Sequence, residues 1–390
     1  MTKPITILHT RVVAGAGGGP DKTILRSAAA LDHTRYNAVA AYLHPAGDSG
    51  IETLRASASR HEMQMHTIPE RGPIDLRALS LLLDLCKRLH VDIWHAHDYK
   101  TDILGRILRR YHRMKLVTTM HGFTGETVRT RLYAYLSNYA MRGYDKVIAV
   151  SPLLIRHAAE HGVHPDRLRY VPNAIDLNEY ARRQTREQAK KALGLSQGEH
   201  AVGIVSRFSV EKGVDRGLRA FAKLHELRPQ SRLHLIGDGP KSAELKQLAE
   251  SLGVQNAVRW WGWQRDTRSI LEALDTLLLT SRTEGLPNTV LEAMAIGLPI
   301  AATRVGAVPD VLAQGDCGVL LGDDESLWLE QLLPLVDQPL VRERLLCAAW
   351  LRVQSHYDFS QRMRRIESIY DELLGRTAPM QSNYPDRQAA

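Results

Sequence analysis

Short apolar runs alternate with helical patterns along almost the whole chain, and the alternation stops once and then restarts. The early strand runs are ITILHT, YNAVAAYL, VDIWHAH, KLVTTMHG and KVIAVS, separated by helical segments such as DKTILRSAAALD and LRALSLLLDLCKRLH. Strands separated by helices imply βαβ crossovers and a parallel sheet. AVSPLLIRHAAEHG holds a strand, Ser151 as helix cap, Pro152 at the first helical position and Gly162 as stop. The stretch LRYVPNAIDLNEYARRQTREQAKKALGLSQGEH is polar and rich in turn residues. The alternation then begins again, with strands AVGIVSRF, SRLHLIGDG, VRWWGW, TLLLTS, LPIAATRV and GVLLG. The expected fold is α/β, with two Rossmann-like doubly wound domains facing a central cleft. They span 1–172 and 199–357, joined by a linker over 173–198 and followed by a helix at 358–376 and a disordered tail at 377–390.

A chain of 390 residues exceeds one ordinary core, in keeping with two domains. Its 44% apolar and 24% charged content excludes wholesale disorder. Cys86, Cys317 and Cys347 are scattered and form no CxxC pair, which fits a reducing cytoplasm. No stretch approaches a membrane span, and MTKPITILHT reads as a first strand, not a signal peptide. The net charge of +8 is unevenly placed. Residues 1–172 carry 24 Lys and Arg against 15 Asp and Glu, a balance of +9, and the remainder carries 27 against 28, a balance of −1. The densest run is RILRRYHRMK. It reads either as a solvated helix end or as an attractor for an anionic partner: a phosphate-bearing acceptor or a membrane surface. With 6% aromatics and no recognition motif, no nucleic-acid partner is expected.

In open parallel sheets, ligands meet the loops after strands, so those loops carry the candidates. GIVSRFSVEKGVD places Arg207 at a strand end and Lys212 just before a helix, where cations and helix amides suit a diphosphate; an ordinary basic loop is the alternative. SRTEGLPNTVLEAMAIGLPI holds Glu284 in a Gly/Pro loop and Glu292 just inside a helix. Thr289 and Glu292 fit a capping box, or the acids, the loop amides and the helix start face one ligand. HLIGDGP puts Gly237 where a backbone can approach a ligand closely, or simply turns the chain. VRWWGWQ leaves Trp263 after a strand to hold a nucleobase, with Trp260 and Trp261 assigned to the core. AGAGGGP, with Gly18 and Gly19, lacks both the dinucleotide and the Walker pattern, yet suits an anion or a sugar against the backbone. HAHDYKTD supplies His97 and Asp98 at a strand tip, with His95 also present, and TTMHG supplies His121. An HxH pair without further ligands at metal spacing gives no metal site, so none is expected.

These residues together are similar to a known family. EGLPNTVLEAMAIGLPIAAT with the following GAVPD, the segment SRFSVEKGVD, and YVPNAID resemble the retaining glycosyltransferases of family 4, which have the two-domain GT-B fold. Ala174 stands where the family usually has glycine, and GGGPDKTIL resembles the glycine loop of its acceptor domain. The resemblance implies that Arg207 and Lys212 neutralise a donor diphosphate and that Glu284 contacts the transferred sugar. Glu292 would hold ribose hydroxyls, Gly285, Leu286, Asn288 and Thr289 would bind the donor through the loop and helix start, and His121 would touch the donor sugar. Gly19, Gly237 and Trp263 join the donor side; Gly18, His97 and Asp98 are the acceptor-side candidates.

The resemblance implies a metal-independent retaining hexosyltransferase with no cofactor, its nucleotide-sugar being a substrate. The donor is expected to be a UDP-sugar and the acceptor a growing cell-surface glycan or lipid-linked glycan, such as lipopolysaccharide or exopolysaccharide. The expected location is cytoplasmic, peripheral at the inner face of the membrane. The competing readings are a nucleotide-sugar epimerase of similar fold, an NAD-dependent oxidoreductase, and a non-catalytic protein binding anionic lipid or glycan.

Overall fold

The computed structural model describes residues 3–72, 74–122 and 128–376; the tail expected at 377–390 lies outside them. The chain forms two compact units, one of residues up to Asn173 together with those from Ser360 on, the other of Ala174–Phe359.

The first unit is built on a seven-stranded parallel sheet in the order β3-β2-β1-β4-β5-β6-β7. Its strands are β1 (Ile5–Val12), β2 (Tyr36–Pro45), β3 (Gln64–Glu70), β4 (Ile93–Ala96), β5 (Lys115–Met120), β6 (Lys146–Ala149) and β7 (Leu168–Tyr170). Ile7, Leu8, Ile93, Trp94, Leu116, Val117, Val147 and Ile148 have no exposure. Consecutive buried residues mean that both faces of the central strands are covered, as parallel sheets require. The sequence reading did not assign β3 and β7. Both are edge strands; β3 reads QMHTIPE, polar and carrying Pro69, which an edge tolerates, and β7 has three residues.

Helix Phe359–Leu373 belongs to this unit from Ser360 on. Its last two turns are fixed by polar contacts on the sheet. The Glu372 carboxylate accepts from Lys146 Nζ at 2.5 Å and from Arg169 Nη2 at 2.7 and 2.9 Å. Asp371 accepts from the Tyr36 hydroxyl at 2.6 Å and pairs with Arg35.

The second unit holds a six-stranded parallel sheet in the order β10-β9-β8-β11-β12-β13. The strands are β8 (His200–Val205), β9 (Ser231–Ile236), β10 (Val258–Gly262), β11 (Thr276–Leu279), β12 (Ile300–Thr303) and β13 (Val319–Leu321). Helix Val214–Leu227 turns Val214, Leu218, Phe221 and Leu224 into the core, the three- and four-residue spacing of one helical face. The polar stretch after Asn173 is part of this unit. Helix Arg186–Ala192 within it buries Ala189 beside Ala273, and Lys190 Nζ donates to Asp275 Oδ2 at 2.7 Å.

Candidate active site

The carboxyl ends of the six parallel strands in the second unit share one edge of its sheet. The order reverses between β8 and β11: the chain leaves β8 for β9 on one side and returns to β11 on the other. Loops at such a switch point diverge and leave a crevice. These two strands are followed by Arg207–Lys212 and by Ser281–Asn288, so the switch point brings the expected cations and Glu284 together.

Lys212 Nζ donates to both carboxylate oxygens of Glu284, at 2.8 and 2.9 Å, and Ser281 Oγ donates to Glu284 Oε1 at 2.7 Å. The Glu284 side chain is 7% exposed and that of Lys212 27%. Two of the three ammonium N–H groups are thereby used, and the third stays available to an anion. The two loops are also joined through the backbone: Thr280 Oγ1 donates to the Gly213 carbonyl at 2.8 Å, and Arg282 N to the Glu211 carbonyl at 2.8 Å. Arg207 is exposed, with no side-chain partner among the described residues. Its guanidinium is unspent.

Two glycines here are required by the fold. Gly306 has φ +57°, and a Cβ on it would lie 2.1 Å from the Glu284 carbonyl oxygen. The loop after β12 thus packs on the Glu284–Gly285 backbone, where Ala307 N donates to the Gly285 carbonyl at 2.8 Å. Gly237 has φ +134°, and its Cβ would meet the Ser206 carbonyl oxygen at 1.8 Å. The sequence reading assigned Gly237 to ligand approach; contact between the loops after β8 and β9 already explains the glycine.

Helix Asn288–Ile296 has Pro287 at its cap and no side-chain cap bond. The capping box considered for Thr289 and Glu292 is therefore absent: Thr289 is already inside the first turn. Glu292 lies on the buried face at 2% exposure, with Oε1 accepting from the Tyr180 hydroxyl at 3.2 Å. Tyr180 is a site residue that sequence reasoning missed. Its signal was faint, a lone aromatic in a polar segment. Gly285 and Leu286 are buried within the loop and Asn288 is half-buried. Trp263 is 52% exposed at the end of β10, whereas Trp261 donates from Nε1 to His234 Nδ1 at 3.1 Å and Trp260 meets Phe208 edge-on.

In the first unit the order reverses between β1 and β4. Register sets His9 beside His95 on these strands, and His97 and His121 follow β4 and β5. The imidazoles form a row. His9 Nδ1 lies 3.0 Å from His97 Nε2, and His97 Nδ1 lies 3.0 Å from His121 Nε2. The outer nitrogens, His9 Nε2 and His121 Nδ1, have no hydrogen-bond partner among the described residues. A neutral imidazole has one donor and one acceptor nitrogen, so the tautomers of the three rings are linked: fixing one fixes all. His95 is held separately, Nδ1 at 2.7 Å from the Tyr370 hydroxyl and Nε2 at 2.8 Å from Thr119 Oγ1. Ligand nitrogens of His9, His95 and His97 lie within 4.8 Å of one another, but the His95 and His97 rings stack at 4.4 Å and both His95 nitrogens are already engaged by Tyr370 and Thr119. The charges of Arg11 and Arg362 bear on the row as well, which disfavours a cation.

Asp98 caps helix Tyr99–Leu108, accepting from Lys100 N at 2.9 Å, Thr101 N at 3.0 Å and Val12 N at 2.6 Å. Those bonds make it a scaffold for the loop after β1. Gly18 N donates to Asp21 Oδ2 at 2.6 Å, and Asp21 pairs with Arg11 at 2.9 Å, so the acid after the glycines fixes the Gly18–Gly19 turn.

Burial, and secondly the charge of Arg362, pushes His9 down to about 3. Burial likewise holds His95, His97 and His121 well below the usual range. In the unfolded chain all four take up protons near pH 6.5; folded, they resist. Stability contributed by the neutral rings is therefore present above pH 6.5 and falls as the pH drops. For His9 alone the loss reaches about 2 kcal/mol at pH 5. Asp102, pushed up to about 7 by burial, acts in the opposite direction over the same window, so the other three histidines set the net sign. Thermal denaturation should show a lower Tm at pH 5 than at pH 7, and a shallower fall in a His9→Asn/His97→Gln variant.

Two family descriptions match the chain: Glycosyltransferase Family 4 over residues 17–179 and Glycosyl transferases group 1 over residues 185–345. An N-acetyl-α-D-glucosaminyl L-malate synthase from Bacillus anthracis is 32% identical over 327 residues, covering 80% of this chain and 84% of that protein. The chain belongs to the family 4 glycosyltransferases. A second relative, the lipopolysaccharide core biosynthesis mannosyltransferase LpsB of Rhizobium meliloti, is 29% identical over 293 residues, 72% of this chain and 80% of that one. The Anabaena protein HepE, solved with UDP-glucose, superposes with a TM-score of 0.81 at 20% identity, covering 94% of this chain and all of that one. At that identity the likeness is one of fold, and the fold is GT-B. As a glycosyltransferase, the enzyme needs a site for a departing anion, and the switch point of the second unit carries the Lys212–Glu284 pair and Arg207.

Proposed function

We propose that this transferase moves a hexosyl group from a UDP-sugar to a growing cell-surface glycan on an anionic lipid carrier, retaining anomeric configuration and needing no metal. The observation that carries the reading is the Lys212–Glu284 pair, with the unspent Arg207 in the same loop as Lys212. Cations aimed at a leaving diphosphate act most strongly as its charge grows, which is the condition for lowering a barrier. Glu284 fixes the ammonium and offers its remaining lone pairs to a sugar hydroxyl. Buried Glu292, held by Tyr180, faces the nucleotide ribose, and the helix start at Asn288 supplies backbone amides. His121, its tautomer tied to His97 and His9, meets the sugar with Nδ1.

HepE is described with UDP and UDP-glucose, and an Escherichia coli relative is named a UDP-Gal transferase acting on a diphosphoundecaprenol-linked sugar; both names favour a UDP donor, and the second a lipid-linked acceptor. A panel of UDP-, GDP- and ADP-sugars, read by thermal shift and by slow donor hydrolysis, tests the donor. UDP-sugars should raise Tm most and release UDP; a response to GDP- or ADP-sugars alone would reassign the base. A second reading of the acceptor, a small carboxylate, is favoured by the name of the Bacillus anthracis relative and by Arg362, a buried guanidinium whose Nε has no partner among the described residues. Product analysis with L-malate beside a lipid-linked sugar separates the two.

A further inference from the structure

Helix Val128–Met141 turns the wrong side outward. Leu132, Tyr135, Leu136 and Tyr139 are exposed by 59, 71, 41 and 68%. Their offsets of three, four and seven place them on one helical face. The opposite side is accounted for: Ser137, Ala140 and Met141 are buried, and Ser137 Oγ donates to Asp102 Oδ2 at 2.6 Å on the neighbouring helix Tyr99–Leu108. A water-facing row of two leucines and two tyrosines on one helix is more than scattered exposure.

The two segments that carry this row and the neighbouring helix end are basic. Residues 103–115 and 131–142 contain no Asp or Glu. Arg106 and Arg110 are exposed at the end of helix Tyr99–Leu108, and Arg106 lies against Gly143, just past the end of the apolar row. Arg142 sets its guanidinium 5.5 Å from the centre of the Tyr139 ring. Leucine for the acyl boundary, tyrosine for the headgroup level and arginine for phosphate are the parts of a surface-lying amphipathic element. None of the described helices is long and apolar enough to cross a membrane.

We propose that this face, formed by Leu132, Tyr135, Leu136 and Tyr139 with Arg106, Arg110 and Arg142, docks the enzyme on an anionic lipid surface. The inference rests on the reading of a lipid-carried acceptor and adds where the chain meets the bilayer. A partner protein matched to this face would need acidic groups around an apolar groove. A bilayer of anionic lipid offers both over any area, and the absence of carboxylates across both segments favours it.

The test is sedimentation with phosphatidylcholine vesicles, with and without phosphatidylglycerol, at low and moderate salt. The wild-type enzyme should bind only the anionic vesicles, and less at higher salt. Leu132→Ser/Leu136→Ser should weaken binding at least ~10-fold by removing apolar insertion. Arg106→Gln/Arg110→Gln should weaken it about fivefold per arginine. Both variants should keep wild-type Tm and wild-type donor hydrolysis, since every changed side chain is exposed and outside the donor site. Wild-type protein that ignores anionic vesicles would overturn both this face and the lipid-carried acceptor. Binding that survives both variants would overturn the face and leave that acceptor reading standing. A dimer in ultracentrifugation that the leucine variant dissolves would assign the face to a second copy of the chain and overturn lipid docking.

Discussion

Lys212→Ala should cut sugar transfer by about 10²–10³-fold with the chain still folded. The ammonium stands at the switch point of the second sheet, held by both oxygens of Glu284 at 2.8 and 2.9 Å. A donor diphosphate gains charge as the glycosyl bond breaks, so a cation fixed beforehand helps the transition state more than the ground state. The loss should therefore fall mainly on kcat, with a smaller rise in KM. The fold should tolerate the change. Glu284 keeps its bond from Ser281, and the Lys212 side chain is 27% exposed, so water can enter. Glu284→Gln should also lose transfer. The two residues act as one unit, so the double variant should be little worse than the poorer single one. Steady-state kinetics beside a melting curve checks all three. Normal turnover by both single variants would remove the pair from the reaction and favour a non-catalytic or epimerase reading.

Glu372→Ala should destabilise the first unit by about 3–5 kcal/mol. The carboxylate is the shared partner of Lys146 and Arg169, and the three side chains are 8, 9 and 6% exposed. Truncation leaves two cations buried without their acid, a far larger cost than losing a surface ion pair. It also releases the last turns of helix Phe359–Leu373 from β6 and β7. Urea unfolding should show the loss as a lower midpoint with an unchanged slope. The Lys146 and Arg169 bonds hold the Glu372 carboxyl below its usual range, against the opposing effect of burial. Its contribution is therefore complete above pH 4.5 and is lost as the pH falls through the lower folded value. In Glu372→Ala that acidic component of the stability curve should vanish, while the fall below pH 6.5 from the histidine row remains.

How much was legible differs residue by residue. The helix pattern VDRGLRAFAKLHEL coincides with helix Val214–Leu227, because apolar spacing and the tight turn at Gly213 just before it are local facts. Arg207 at a strand end, Lys212 before a helix and Glu284 in its Gly/Pro loop are local readings whose roles the family resemblance implies, and strand order brings their loops together. The capping box was a sound local reading that failed: tertiary packing puts Pro287 at the cap and turns Glu292 toward Tyr180. Asp98, expected on the acceptor side, and Gly237, expected on the donor side, are both engaged by the scaffold itself.

The sequence by itself determined two parallel sheets, the strand-end loops that carry charge, and the uneven placing of basic residues. Periodicity and turn chemistry act within a few residues, so one chain is enough to read them. Only the tertiary structure decided that His9, His97 and His121 form one hydrogen-bonded row, that Tyr180 reaches Glu292, and that Glu372 joins Lys146 to Arg169. Those partners lie far apart along the chain and meet through strand order and register, which no local pattern encodes.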